Sequence, residues 1–191
     1  AFRGSSLISA VIPAGVKTIS DSAFRECENL SSVTVREGVE TIEQNVFRAC
    51  SSLASIALPA SIGEVGAGAF MECTVMKSVT FASGSKQVKL GDNIFTRCYE
   101  LTDVTLHAGI DCIGKGMFLD CIMLERVEIP QGAESIGERA FASCSRFTDV
   151  VIPDSVTTIG TAAFSKCPLT DIYFTGTEAQ WNSITKLGDT P

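Results

Sequence analysis

A chain of 191 residues with a formal net charge of −7, and only fifteen lysines and arginines scattered along it, has no basic stripe for nucleic acid or an anionic membrane surface. Its apolar residues are spread evenly, and no run approaches the ~18 residues of a membrane span. Length alone would suggest one or two globular domains, but a repeat overrides that reading.

The repeat is Ala-Phe-x-x-Cys-x-x-Leu, seen best at Ala140–Cys144 and Ala163–Cys167. It recurs as Phe24/Cys27, Phe47/Cys50, Phe70/Cys73, Phe95/Cys98, Phe118/Cys121, Phe141/Cys144 and Phe164/Cys167, with a step of 23 residues except for one of 25 between Cys73 and Cys98. A fixed period of this size marks a solenoid, in which each unit touches only its neighbours. The sequence begins inside a repeat at Ala1, without Met or a basic-then-apolar leader, and is expected to be a segment of a longer protein.

In chain order each unit reads Leu-x-x-Val-x-Leu/Ile-Pro, then Val-x-x-Ile-Gly, then Ala-Phe-x-x-Cys. Leu7, Ala10, Ile12, Val16 and Ile19 open the first unit, which is partial; Leu169, Ile172 and Phe174 start the last. The Val-x-Leu alternation, as in Val104-Thr105-Leu106 or Val127-Glu128-Ile129, has period two and predicts a short strand with one face inward. Proline at its end (Pro59, Pro130, Pro153) lacks an N–H and stops it. Val-x-x-Ile-Gly predicts a second extended arc on the opposite wall. The Ala-Phe-x-x-Cys piece, too short for a free helix, suits a single helical or 3-10 turn. The preceding Gly66, Gly91, Gly114, Gly137 and Gly160 fit the bend, although Ser20 and Glu43 hold that place in two units.

The expected fold is therefore mainly β with short helical or 3-10 turns: a solenoid of 23-residue repeats over residues 1–174, about seven rungs, followed by a capping helix and tail over 175–191. Thr177-Glu178-Ala179-Gln180 has the form of a capping box. It opens a short helix whose Trp181 and Ile184 share a face, expected to pack on the open end of the last rung. A sharper alternative makes Trp181 a ligand-stacking residue.

Eight cysteines suggest disulfides, but seven of them (Cys27, Cys50, Cys73, Cys98, Cys121, Cys144 and Cys167) occupy one repeat position beside buried Phe and Leu. They read as a core ladder of small reduced thiols, with disulfides the alternative. There is no Cys-x-x-Cys pair for zinc. Cys112 alone is out of register; it takes the place of Thr18, Thr41, Ser135 and Thr158 and is expected to be exposed and the first thiol to react with a maleimide.

Ile152-Pro153-x-Ser155-Val156-x-x-Ile159-Gly160-x-x-Ala163-Phe164-x-x-Cys167, and likewise Ile129-Pro130 through Cys144, resembles the BspA-like leucine-rich repeat. Tyr173-Phe174-Thr175-Gly176-Thr177-x-x-Gln180-Trp181 resembles a segment often found near the ends of such arrays. The resemblance implies a right-handed superhelix from an extracellular or cell-surface protein, with adhesion to host or partner proteins in parts of the family. It carries no catalytic residues. Departures are the Ser83–Lys89 insertion region, Ala133 where Val is usual, and His107 where Pro is usual.

No catalytic constellation stands out. The single histidine, His107, lies at a strand end, where a solvated edge residue is the plain reading and a general base the sharper one. Gly63-Glu64-Val65-Gly66-Ala67-Gly68 looks like a phosphate loop but lacks the following Lys. Asp111, Glu64, Glu134 and Glu138 make no recurring Asp-x-Asp pattern for calcium. No metal, cofactor or enzyme activity is expected. Asn29-Leu30-Ser31 is a glycosylation sequon, relevant only in a secreting eukaryote.

The candidate binding surface is the outward set of strand positions. Down the stack they run Ser32/Thr34, Ser55/Ala57, Ser78/Thr80, Asp103/Thr105, Arg126/Glu128, Asp149/Val151 and Asp171/Tyr173. The first half is small and bland; the second is charged and aromatic. Asp103, Thr105, Arg126, Glu128, Asp149 and Tyr173 are the candidate partner-binding residues, with a protein ligand expected and the segment itself monomeric. A passive spacer holding another domain away from a surface is the alternative.

Overall fold

The computed structural model describes residues 1–82, 87–106 and 109–188. Part of the insertion at Ser83–Lys89 and the whole of His107 lie outside the described residues. The chain is a β-solenoid of parallel strands, and successive units lie over one another with the 23-residue register of the sequence, as in Ser9↔Ser32, Ser55↔Ser78 and Asp149↔Asp171. Each rung has three walls around one continuous apolar core.

The front wall is built from the alternating segments. Its strands are Ser9–Ile12, Ser32–Val35, Ser55–Leu58, Ser78–Phe81, Asp103–Thr105, Asp149–Ile152 and Asp171–Phe174. Inward residues such as Ile56, Val79, Val104 and Val150 are buried, while their neighbours face out. The second wall is built from two-residue strands, from Thr18–Ile19 to Lys89–Leu90 and from Cys112–Ile113 to Thr185–Lys186, in two four-stranded sheets. This wall runs past residue 174, because Thr185 pairs with Thr158 after the helix.

The third wall corrects the expected helical or 3-10 turn. In the first complete unit the N–H groups of Ala23, Arg25 and Cys27 close tight turns onto Ser20, Ser22 and Phe24. The intervening N–H groups of Ser22, Phe24 and Glu26 donate instead to the carbonyls of Gln44, Val46 and Arg48 in the next rung. That alternation needs two left-handed residues per rung, at Ser22 (φ 55°) and Glu26 (φ 62°), Asn45 and Ala49, and so on to Ala162 and Lys166. A plain helical turn would keep its hydrogen bonds within the rung and leave the stack unlinked here. Among the described residues twelve of the positive-φ positions are not glycine, which costs ~1–2 kcal/mol each by steric crowding at Cβ. The glycines before these turns have ordinary φ. They matter for close approach: a Cβ on Gly160 would sit 2.5 Å from the backbone N of Glu138 one rung back.

Inside the third wall the phenylalanines form one stack. Phe24, Phe47, Phe70, Phe95, Phe118, Phe141 and Phe164 follow each other with ring centroids 5.2–5.8 Å apart. Phe2 extends the column, 5.3 Å from Phe24. Its N–H donates to Ala23 just as Phe24 donates to Val46, so Ala1–Ser5 is a further turn of the same kind with Ser5 in the place of Cys. The sequence carries that signal in Ala1-Phe2-Arg3, which repeats Ala23-Phe24-Arg25.

Beside the rings runs the cysteine column. Cys27, Cys50, Cys73, Cys98, Cys121 and Cys144 are fully buried, Cys167 is half-buried, and all are free thiols. Each donates its S–H to the carbonyl of the Phe one rung back: Cys50 Sγ to Phe24 at 3.1 Å, Cys98 to Phe70 at 3.2 Å, Cys167 to Phe141 at 3.0 Å. That carbonyl already accepts the N–H of its own rung's cysteine. Cysteine suits the site because it is small and apolar yet keeps one weak donor for the second lone pair.

Candidate functional site

The outward face of the front wall is where the second half of the chain departs from the first. Asp103, Thr105, Arg126, Glu128 and Tyr173 are exposed and Asp149 is half-buried. They do not lie on one continuous sheet. The strand expected at Val127–Ile129 is absent: that segment has no ladder to Asp103–Thr105 on one side or to Asp149–Ile152 on the other.

Proline accounts for the break. Where the residue after the strand has an N–H, it reaches back to the preceding rung: Arg36 to Ile12 (3.1 Å), Ala82 to Leu58 (2.9 Å) and Thr175 to Ile152 (3.1 Å). Each of these rungs is paired with the one before it. Pro59, Pro130 and Pro153 stand at the equivalent position with no N–H to give. The front wall is interrupted before each of these three rungs, so that it consists of two, three and two strands. Proline marks the end of its own strand in the sequence, whereas its effect on the neighbouring rung depends on how the two rungs stack.

Residues 125–130 are thus flanked by two interruptions, and a cleft opens at each. Asp103, Thr105, Arg126 and Glu128 meet in one of about 540 Å³, together with Thr102, Pro130 and Gln131. Arg126 and Asp149 share the other, of about 690 Å³, with Glu125, Arg146 and Thr148. Sequence reasoning missed Glu125, Arg146, Thr148 and Gln131, because they fall just outside the alternating positions. Tyr173 lines neither cleft. It lies in register with Val151, and the two are exposed side by side.

The charges on this face are unequal. Arg126 Nη2 is 3.6 Å from Asp149 Oδ2, and Arg146 Nη1 is 3.3 Å from Glu125 Oε1. Asp149 stands directly across from Asp171 in the ladder, a like-charge pair that Arg126 offsets in part. Among the described residues the carboxylates of Asp103 and Glu128 have no ion-pair or hydrogen-bond partner.

Elsewhere, Cys112 is corrected from exposed to half-buried. Burial, with Asp111 beside it, pushes its thiol up to about 11. Cys167, the last of the column, is half-buried. Reaction with a maleimide goes through the thiolate, and burial slows it at Cys112. At the far end Thr177 accepts from the N–H of Gln180, whose side-chain oxygen accepts from Thr177 N at 2.9 Å. The helix Glu178–Ser183 brings Trp181 5.4 Å from Phe174, with Lys186 Nζ 4.4 Å over the indole, and Ile184 is buried. No helix among the described residues is long and apolar enough to cross a membrane.

The model of the BspA-type leucine-rich repeat region matches residues 1–89 and 84–186, in six copies. The chain belongs to the BspA-type leucine-rich-repeat family. Among solved structures, this BspA-type protein is similar to a leucine-rich-repeat protein of T. pallidum, with 27% identity and a TM-score of 0.75 over 93% of this chain and 81% of that one. It is also similar to a leucine-rich-repeat protein from Eubacterium ventriosum, at 26% identity and TM-score 0.77 over 87% of this chain and 44% of that one. A leucine-rich cell-surface protein from Faecalibacterium prausnitzii matches at 26% identity and TM-score 0.54, over 97% of this chain and 64% of that one. The chain thus spans under two thirds of the length of these last two. No curated protein matches it in sequence.

Proposed function

We propose that this repeat array is a non-enzymatic protein-binding module of a cell-surface or secreted protein, adhesive in role, and that it engages its ligand as a monomer through the second half of the front wall. The observation that carries the reading is the placement of Asp103, Thr105, Arg126, Glu128 and Asp149 around two clefts in an otherwise bland solenoid face. Solenoid faces are extended binding surfaces, and Arg and Tyr are frequent anchors at their centres. Tyr173 and Val151 add an apolar patch at one end. The resemblance to a leucine-rich cell-surface protein of Faecalibacterium prausnitzii supports an extracellular location. In the same reading Thr177, Trp181 and Ile184 form a lid that protects the last rung from solvent.

The test is the triple variant Arg126→Ala, Glu128→Ala, Tyr173→Ala, assayed for binding to host-cell monolayers and to immobilised matrix proteins beside the unaltered chain. We expect binding to fall at least tenfold with thermal unfolding unchanged. Retained binding would favour the passive spacer, a role that suits the small, uncharged outward residues Ser32 to Thr80.

A further inference from the structure

We propose that the cleft between Asp103–Thr105 and residues 125–130 seats a cationic side chain, lysine or arginine, projecting from an extended segment of a partner protein, with its charge held between Asp103 and Glu128. The proposal rests on the reading of the front wall as the contact surface and names the chemistry of what it contacts.

Three observations converge on a cation. The first is geometric. In paired rungs the strand-flanking carbonyls of Ala54, Leu58 and Lys77 accept the next rung's N–H at 2.8, 2.9 and 3.0 Å. Among the described residues the equivalent carbonyls of Thr102 and Leu106 accept none, because the next rung ends in Pro130 and its ladder is lost. Both residues line the cleft, which therefore offers acceptors to a donor from outside. The second is electrostatic. Asp103 and Glu128 line the same cleft with, among the described residues, no cation on either, and the cation that lines it with them, Arg126, is turned to Asp149. The outward positions here carry Asp103, Glu128, Asp149 and Asp171 against Arg126 alone. The third is size: about 540 Å³ is ample for a long side chain entering end-on. An ammonium or guanidinium has several donors and no acceptor, which is the complement of two carboxylates and two open carbonyls. An extended partner segment running along the wall would also bring alternate side chains to the same face.

The experiment uses a fluorescein-labelled, end-blocked (Thr-Lys)4 peptide and measures anisotropy against the whole chain at low and physiological salt. A (Thr-Glu)4 peptide is the counterpart. We expect the lysine peptide to bind, weakening as salt rises, and the glutamate peptide not to bind. The isosteric pair Asp103→Asn with Glu128→Gln should weaken binding at least tenfold. The pair Glu64→Gln with Glu178→Gln removes the same charge from exposed positions elsewhere and should leave affinity within twofold. Failure of the lysine peptide to bind, indifference to the Asp103/Glu128 pair, or an equal loss from the Glu64/Glu178 pair would each overturn the proposal. If any of these occurs while the triple alanine variant still abolishes surface binding, the cation seat fails and the contact surface stands. If the triple variant binds normally, the broader reading fails.

Discussion

The third wall and the front wall are made by the same 23-residue repeat, yet they behave differently along the chain. The third wall is uninterrupted: its rings stack from Phe2 to Phe164, and its N–H groups link rung to rung from Phe2 onward. The front wall is broken three times and changes from uncharged to charged half way along. The difference separates two jobs. Periodic, buried Phe and Cys hold the stack, so the outward positions of the other wall are free to vary without loosening it. Local failure of a ladder is tolerable there because Val104, Val127 and Val150 still close the core beneath it.

The largest expected effect attacks the third wall through its thiols. Burial, above all, pushes Cys50 up to about 12 from the ordinary 9.0 and holds Cys73 and Cys98 well above it. In the unfolded chain these thiols ionise near their ordinary value; in the folded chain they stay protonated. Their contribution is therefore complete below about pH 9 and is lost as the pH climbs from there toward the folded values. Each such thiol should remove about 1.4 kcal/mol of stability per pH unit in that window, and several act together. Urea unfolding under reductant at pH 8, 9 and 10 measures it. Cys50→Ala should flatten the slope by one thiol's share; a slope untouched by that change would mean the column is not buried as described.

Next is the ring stack. Phe118→Ala, in mid-column and fully buried, should cost about 3–5 kcal/mol. Phe2→Ala, at a ring half exposed, should cost about 1–1.5 kcal/mol by the same reasoning. Equal effects from urea midpoints would contradict a column fully buried at Phe118 and half exposed at Phe2.

This contrast also explains what could be read from the sequence. Buried columns leave a strict signature, since only a few side chains fit a repeated interior, and so Phe24 to Phe164 and Cys27 to Cys167 could be aligned by eye. The left-handed residues could not. Glu26, Ala49, Arg97 and Lys166 carry no mark of positive φ, because neighbouring rungs impose the conformation against their own preference. The candidate face was legible as a change from serine to charge. Its clefts were not, because they arise from a missing hydrogen bond between rungs, a property of pairs of repeats and of no single one. Thr185–Lys186 was missed for a similar reason: two residues after a helix acquire strand character only from Thr158–Ile159 beside them.

The smallest energetic effect is the most direct probe of the front wall. Pro130→Ala supplies an N–H opposite the open carbonyl of Leu106. One hydrogen bond is worth about 0.5–1.5 kcal/mol, and losing proline's restraint on the unfolded chain costs about 0.4–1 kcal/mol. The net change in stability should therefore stay within about 1 kcal/mol, and stability is the wrong quantity to watch. Amide hydrogen exchange is the right one. In the unaltered chain the amides of Arg126 and Glu128 should exchange much faster than those of Val79 and Thr105, which lie in a paired stretch. In the Pro130→Ala chain these two should slow toward those values as the rung joins the ladder, while Val127 and Ile129, which face the rung ending in Pro153, stay fast. The cleft beside Asp103 should close with it, and the lysine peptide should lose affinity while both carboxylates remain. Slow exchange at Arg126 and Glu128 before the substitution would show that proline does not interrupt this wall, and the cleft would then need another cause.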